Sequence, residues 1–150
     1  MRKLQTHDRL RSYGWSQYFE ERQPEPPLMG RNVEERARVT MWNSKIEQQG
    51  LLPMADAFRN AAKGLKGRAV TGPDPYEQIP ALAERGRQRV AQFFRRLDEQ
   101  LADHAYVAGD EFSIADISAM VLVDFARWIK LEMPEDAGNL ARWYGEVSAR

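Results

Sequence analysis

Apolar residues along this chain recur at steps of three and four, the repeat of a helix face, and no run alternates as a half-buried strand would. Ser12 to Arg22 predicts a short helix carrying Trp15, Tyr18 and Phe19. It must stop by Gln23-Pro24-Glu25-Pro26-Pro27, because proline removes a backbone donor and restricts the residue before it. That stretch reads as a stiff linker. A second helix is predicted over Val33 to Gln49, with Val39, Trp42 and Ile46 on one face and Gly50 as its stop. A third lies near Met54 to Lys63 and carries Phe58. Gly64 to Pro80 holds three glycines and three prolines and reads as a mobile loop. Ala81 to Ala102 is the clearest amphipathic helix, with Val90, Phe93, Phe94, Leu97 and Leu101 opposite Arg85, Arg89, Arg96 and Glu99. Ile114 to Lys130 is apolar nearly all round, which places it at the centre of a bundle with Trp128 in the core. Asn139 to Ala149 closes the chain with Leu140, Trp143, Tyr144 and Val147. The predicted fold is all-α, a helical bundle around one buried central helix.

Composition narrows the function. A chain of 150 residues can bury enough surface for a core without staples. With no cysteine, disulfides, thiolate metal sites and a cysteine nucleophile are excluded. Lys plus Arg and Asp plus Glu both number 22, so the charge balance offers no broad footprint for nucleic acid. The arginines of the amphipathic helix interleave with Glu84, Asp98 and Glu99 and form a solvated face. No apolar run reaches the ~20 residues of a membrane span, and Met1 to Arg11 lacks the apolar stretch of a signal peptide. The expectation is a cytoplasmic protein with no membrane and no nucleic-acid partner.

The sharpest local signal opens the apolar helix. In Phe112-Ser113-Ile114-Ala115-Asp116-Ile117, Ser113 is placed to accept from the backbone amide of Asp116 while the Asp116 carboxylate reaches back to the Ser113 amide. Phe112 is placed to clasp Ile117 as a hydrophobic staple. This structural reading outweighs a catalytic Asp116. Asp124 sits within the most apolar helix and requires a partner, expected to be an arginine or a backbone amide. His7 and His104 stand in no metal-ligand spacing, no histidine base accompanies the hydroxyls of Ser12, Tyr13 and Ser16, and Gly64, Gly67 and Gly72 form no phosphate-cradling motif.

The stretch Tyr106-Val107-Ala108-Gly109-Asp110-Glu111-Phe112-Ser113-Ile114-Ala115-Asp116-Ile117 closely resembles the hallmark of the glutathione S-transferase C-terminal domain, where it carries this same box and staple. Tyr18-Phe19-Glu20-Glu21 followed by Gln23-Pro24-Glu25-Pro26-Pro27-Leu28-Met29-Gly30 resembles the join between that family's two domains. Glu34-Glu35-Arg36-Ala37 to Trp42-Asn43 and Asn139-Leu140-Ala141-Arg142-Trp143-Tyr144 resemble its first and closing helices. The resemblance implies a division into residues 1–30, a remnant helix with a Pro-rich interdomain linker, and 31–150, the helical domain. It implies that the thioredoxin-like domain, which activates glutathione, is absent. The family's Glu-Ser pair that holds the γ-glutamyl group corresponds here to Arg11-Ser12, so Ser12 is a remnant and Arg11 a cation where an acid is usual.

No catalytic residue and no bound cofactor follow, with glutathione as the one candidate co-substrate. The family builds its pocket for the hydrophobic electrophile largely from the first helix of this domain, which nominates Met41, Trp42 and Lys45. Trp42 also suits core packing and Lys45 a solvated surface. Surface around Trp15, Phe19 and the second helix is expected to be left apolar, favouring a homodimer or a protein partner. The competing reading is a non-catalytic assembly module of the same fold.

Overall fold

The computed structural model describes the backbone over residues 11–150 and side chains from Gly14 onward. Ser12, Arg11 and His7 therefore lie outside the residues whose side chains are described. The helices are α1 (Arg11–Arg22), α2 (Val33–Ile46), α3 (Leu52–Ala61), α4 (Pro80–Asp103), α5 (Ile114–Ala126) and α6 (Gly138–Ser148). Among the described residues there is no strand beyond two isolated bridges.

Between α1 and α2 the linker is tied down at both ends. The Glu20 carboxylate of α1 accepts from the Leu28 and Met29 amides at 3.1 and 3.0 Å. The Leu28 carbonyl accepts from the Ile114 amide at 3.0 Å, which supplies a partner to one of the orphan donors at the start of α5. Met29 is buried there. Asn32 then caps α2, its side-chain oxygen accepting from the Glu35 amide at 2.9 Å.

The sequence predicts that the second helix ends at Gly50, but the structure runs straight through it. A π turn, Glu47–Leu51, joins α2 to α3, and the Leu52 amide donates to the Glu47 carbonyl five residues back. Two residues explain this. Pro53 has no amide to give Gln49, and its ring would crowd that carbonyl in a regular α turn, which a widened turn relieves. Gly50 is buried where a Cβ would lie 2.4 Å from the Leu122 Cδ2 and 3.1 Å from the Phe93 ring. Its missing side chain is a packing requirement, not a stop signal.

α3 packs chiefly on α4. The two helices approach closely at Gly86, where a Cβ would meet the Pro53 carbonyl oxygen at 2.4 Å. The connection between them, expected to be mobile, is pinned. The Arg59 guanidinium donates to the carbonyls of Arg68, Ala69 and Val70 at 2.6, 3.2 and 3.1 Å. Gln78 donates to the Arg59 and Ala62 carbonyls, both at 2.8 Å, and so caps the end of α3. Asn60 accepts from the Ile79 amide at 2.9 Å.

α5 buries Ala115, Ala119, Leu122, Val123 and Ala126 against its neighbours. Its N-terminus carries the capping box, Ser113 and Asp116 exchanging side-chain and backbone bonds. Asp116 does more than close that box. It is fully buried, and its carboxylate accepts from four donors: the Ser113 amide (2.9 Å), the Ser113 hydroxyl (3.1 Å), the Val107 amide (2.9 Å) and the Trp143 indole N–H (2.8 Å). One side chain thereby joins the loop before α5, the start of α5 and the core of α6. Phe112 lies edge-on to Tyr106 and beneath the Arg150 guanidinium. Ile117, the other half of the expected staple, is 41% exposed.

α6 begins without a side-chain cap of its own, and α4 provides one: Asp98 accepts from the Leu140 amide at 2.8 Å. In return Arg142 of α6 donates to the Leu101 carbonyl at the end of α4 at 2.9 Å. Such reciprocal satisfaction of helix ends is what buried termini require.

Candidate functional site

The two faces of α5 differ in kind. Residues 115, 119, 122 and 126 form an inner face of three alanines and a leucine, suited to close helix packing. Residues 117, 121, 125 and 128 are Ile, Val, Phe and Trp at the same spacing on the opposite side. Among the described residues no element covers this outer stripe: Phe125 is 38% exposed and Trp128 is 60% exposed. Trp128 is not the core residue its sequence context suggests. The inner face already satisfies the bundle, so a second apolar face on one helix must point out of it.

The way α5 ends turns this stripe into a site. After Ala126 the chain tightens into a 3₁₀ turn, Arg127–Ile129, and Lys130 adopts the left-handed conformation with φ of 57°. The Arg87 guanidinium of α4 donates to the Ile129 and Lys130 carbonyls, satisfying the exposed C-terminal acceptors. The indole of Trp128 is thereby stacked on Phe125 at a 4.7 Å centroid distance and a 17° interplanar angle. It tilts over Phe58 of α3 at 5.6 Å. Beside this aromatic trio lies an open cleft of about 310 Å³, walled by Phe58, Ala61, Trp128 and Ile129 and rimmed by Arg87 and Lys130.

The lining sets what the cleft can do. Flat aromatic walls take a planar apolar group, and the cationic rim suits an electron-rich or anionic substituent. No thiol, hydroxyl, imidazole or carboxylate belongs to the lining, and its ionisable groups are the Arg87 guanidinium and the Lys130 amine.

None of the residues nominated from the sequence lines this cleft. Met41 is exposed on α2, Trp42 is half-buried against the core, and the Lys45 ammonium sits over the Trp42 ring at 4.4 Å. Lys45 therefore covers an aromatic face on its own helix. The residues missed were Phe58, Phe125 and Trp128. The signal that locates them is the doubling of apolar faces on α5, one small and one large, which single-face periodicity does not resolve.

Asp124, on the flank of α5, is partnered by neither an amide nor an arginine. It accepts from the Tyr144 hydroxyl at 2.5 Å, and Arg127 donates to that same hydroxyl at 3.4 Å. The hydrogen bond to Asp124, helped by partial burial and the carboxylate's charge, raises the Tyr144 hydroxyl above its ordinary value of 10.0. His104 lies 3.8 Å from the exposed Asp110 carboxylate, and no cluster of metal-ligating side chains occurs among the described residues. Nor is any described helix long and apolar enough to cross a membrane.

Residues 43–150 match the family model described as glutathione S-transferase, C-terminal domain. The chain belongs to the glutathione S-transferase family. Glutathione S-transferase 2 of Saccharomyces cerevisiae (strain ATCC 204508 / S288c) is 30% identical over 136 residues, covering 90% of this chain and 56% of that protein. A glutathione S-transferase of class Gtt2 from Vibrio parahaemolyticus superposes with a TM-score of 0.77 at 34% identity, over 92% of this chain and 62% of that one. A glutathione S-transferase domain-containing protein from Marinobacter aquaeolei gives a TM-score of 0.80 at 28% identity, over 90% of this chain and 63% of that one. The chain thus spans somewhat under two-thirds of the length of these transferases, and the matched family model lies within its helical bundle.

Proposed function

We propose that this chain provides the electrophile-binding half of a glutathione transferase, and that it becomes catalytic only together with a thioredoxin-like half that activates glutathione. The observation that carries the reading is the open cleft walled by Phe58 and Trp128, with Phe125 stacked on Trp128 and no thiol, hydroxyl, imidazole or carboxylate in the lining. In this division of labour the cleft holds the apolar electrophile by stacking, while the thiolate comes from the other half. Residues 1–30 act as the connection and 31–150 as the binding unit, meeting where Gly30 turns with φ of 98°. Met41, Trp42 and Lys45 of α2 are not among the walls of this cleft.

The test is a titration of the purified chain with a naphthalene sulfonate dye, a planar apolar anion, followed by tryptophan fluorescence. Saturable quenching that Trp128→Ser abolishes is the expected result; quenching that survives this substitution would overturn the assignment of the cleft. Calorimetry with glutathione accompanies it. Micromolar to low millimolar binding of glutathione by the chain alone would overturn the division of labour.

A non-catalytic assembly module is the second reading. It draws support from the aromatic face of α1, where Trp15 is 56% and Phe19 is 61% exposed.

A further inference from the structure

The segment between α3 and α4, residues 62–79, is held in one shape that core burial does not explain. Beyond the 3₁₀ turn Lys63–Leu65 and the bridge between Arg68 and Tyr76 it has no regular structure. Ala69 is its one buried residue. An ordered loop of this length usually serves a function. Its path encloses an open cavity of about 650 Å³, within the ordinary range of ligand pockets. Gly67 and Gly72 turn the chain around that cavity with φ of 72° and 146°, where a side chain would be strained. The lining shares no residue with the aromatic cleft.

Positive charge is what this lining offers. Arg59 joins it from α3 with its guanidinium fixed: Nε donates to the Ala69 carbonyl, and Nη2 to the Arg68 and Val70 carbonyls. Carbonyl oxygens satisfy those donors without cancelling the charge. Nη1, with two further N–H groups, donates to nothing among the described residues. Arg68 is exposed in the same lining, and its guanidinium has no partner among the described residues. Asp74 is the acidic residue of the lining and forms no ion pair with either arginine. Two guanidinium groups against one carboxylate leave the wall cationic. Thr71 adds a hydroxyl, and Val70 and Pro73 add apolar surface. The glycines here form no run of phosphate-cradling amides; the anion-binding groups are arginines that folding brings to them.

We propose that this cavity binds an organic phosphate, with the phosphoryl group held by Arg59 and Arg68 and the apolar body against Val70 and Pro73. Arg59 is the preorganised half of the site. Its three carbonyl partners have already fixed the side chain on folding, so ligand binding has to order only Arg68. A phosphate monoester carries about two negative charges at neutral pH and three acceptor oxygens. It can therefore engage both guanidinium groups and the Thr71 hydroxyl together, whereas a monocarboxylate matches a single guanidinium fork. The site stands apart from the electrophile cleft and does not depend on that reading.

Calorimetric titration of the full chain with phenyl phosphate is expected to show one saturable site that weakens as salt is added. Inorganic phosphate lacks the apolar body and benzoate lacks the second charge; each should bind at least roughly tenfold more weakly. Arg68→Gln should weaken phenyl phosphate by about tenfold and leave the urea midpoint unchanged, because that side chain holds no part of the loop. Arg59→Gln should abolish binding; if it also loosens the loop, Arg68→Gln decides. Hydrogen exchange gives a second readout: phenyl phosphate should slow amide exchange within residues 63–79 and leave α5 and α6 as they were. Absence of binding at millimolar phenyl phosphate overturns the proposal. So does binding that Arg68→Gln leaves intact, or benzoate that binds as tightly. Binding abolished by Trp128→Ser also overturns it, since the ligand would then sit in the aromatic cleft. Phosphate binding that survives Trp128→Ser while dye binding is lost supports both sites separately.

Discussion

The two carboxylates of α5 stand eight positions apart and live under opposite rules. Asp116, at the N-terminus, is fully buried and accepts four hydrogen bonds from three separate parts of the chain. Asp124, near the C-terminus, is half-exposed and accepts one from Tyr144. The difference follows the helix itself: its first turn is enclosed by the linker, the preceding loop and α6, whereas its last two turns carry the bare aromatic stripe. One end of α5 holds the fold together. The other leaves Phe125 and Trp128 exposed.

Asp116 gives the largest expected effect. Asp116→Ala removes the acceptor for the buried Trp143 indole and the buried Val107 amide along with the cap, and each orphaned buried donor costs about 1–3 kcal/mol. The variant should lose roughly 3–5 kcal/mol by urea denaturation, or fail to fold. Asp124→Ala should lose only about 1 kcal/mol. Equal losses at the two sites would break the contrast between the ends of the helix.

The inner and outer faces of α5 can be set against each other in the same way. Gly50→Ala pushes a methyl to within 2.4 Å of the Leu122 Cδ2 on the inner face, where overpacking costs about 1–3 kcal/mol. Trp128→Ser on the outer face removes a far larger side chain, yet should change stability by less than about 1 kcal/mol. Its effect should fall on dye affinity instead, by at least about tenfold. A loss of stability at Trp128 exceeding that at Gly50 would mean that the stripe belongs to the core after all.

How much of this was legible beforehand depended on sequence separation. The box formed by Ser113 and Asp116 spans three residues and reads directly from the sequence. The Trp143 indole reaches the same carboxylate from 27 residues away, and no local pattern announces that bond. The loop between α3 and α4 has a composition that signals mobility, but Arg59, Asn60 and Gln78 hold it by bonds between 9 and 19 residues long in sequence. Helix positions came out well because apolar periodicity is local. The continuation through Gly50 did not, since a glycine required by Leu122 and one that ends a helix look identical in one dimension. The cleft was missed for a related reason: hydropathy told that α5 is apolar on both sides, and only the packing of the alanine face told which side was left over.

The smallest effect concerns the weaker of the two carboxylates. The Asp124 bond raises the Tyr144 hydroxyl above its ordinary value of 10.0, so the folded chain holds that proton more tightly than the unfolded chain does. The stabilisation is fully present below the unfolded value and is lost as pH rises through the higher folded one. Wild type and Tyr144→Phe should therefore differ modestly in urea midpoint at neutral pH, and the difference should shrink above pH ~10 as the phenol ionises beside a carboxylate. Because the site is half-exposed, water screens the carboxylate's charge and keeps the change small. The buried carboxylate at the other end of the helix has no tyrosine among its donors, so Asp116 should contribute nothing to this alkaline slope. A difference between wild type and Tyr144→Phe that stays constant across that range would show that the Asp124–Tyr144 bond does not persist in solution, and would leave α5 with a single structural carboxylate.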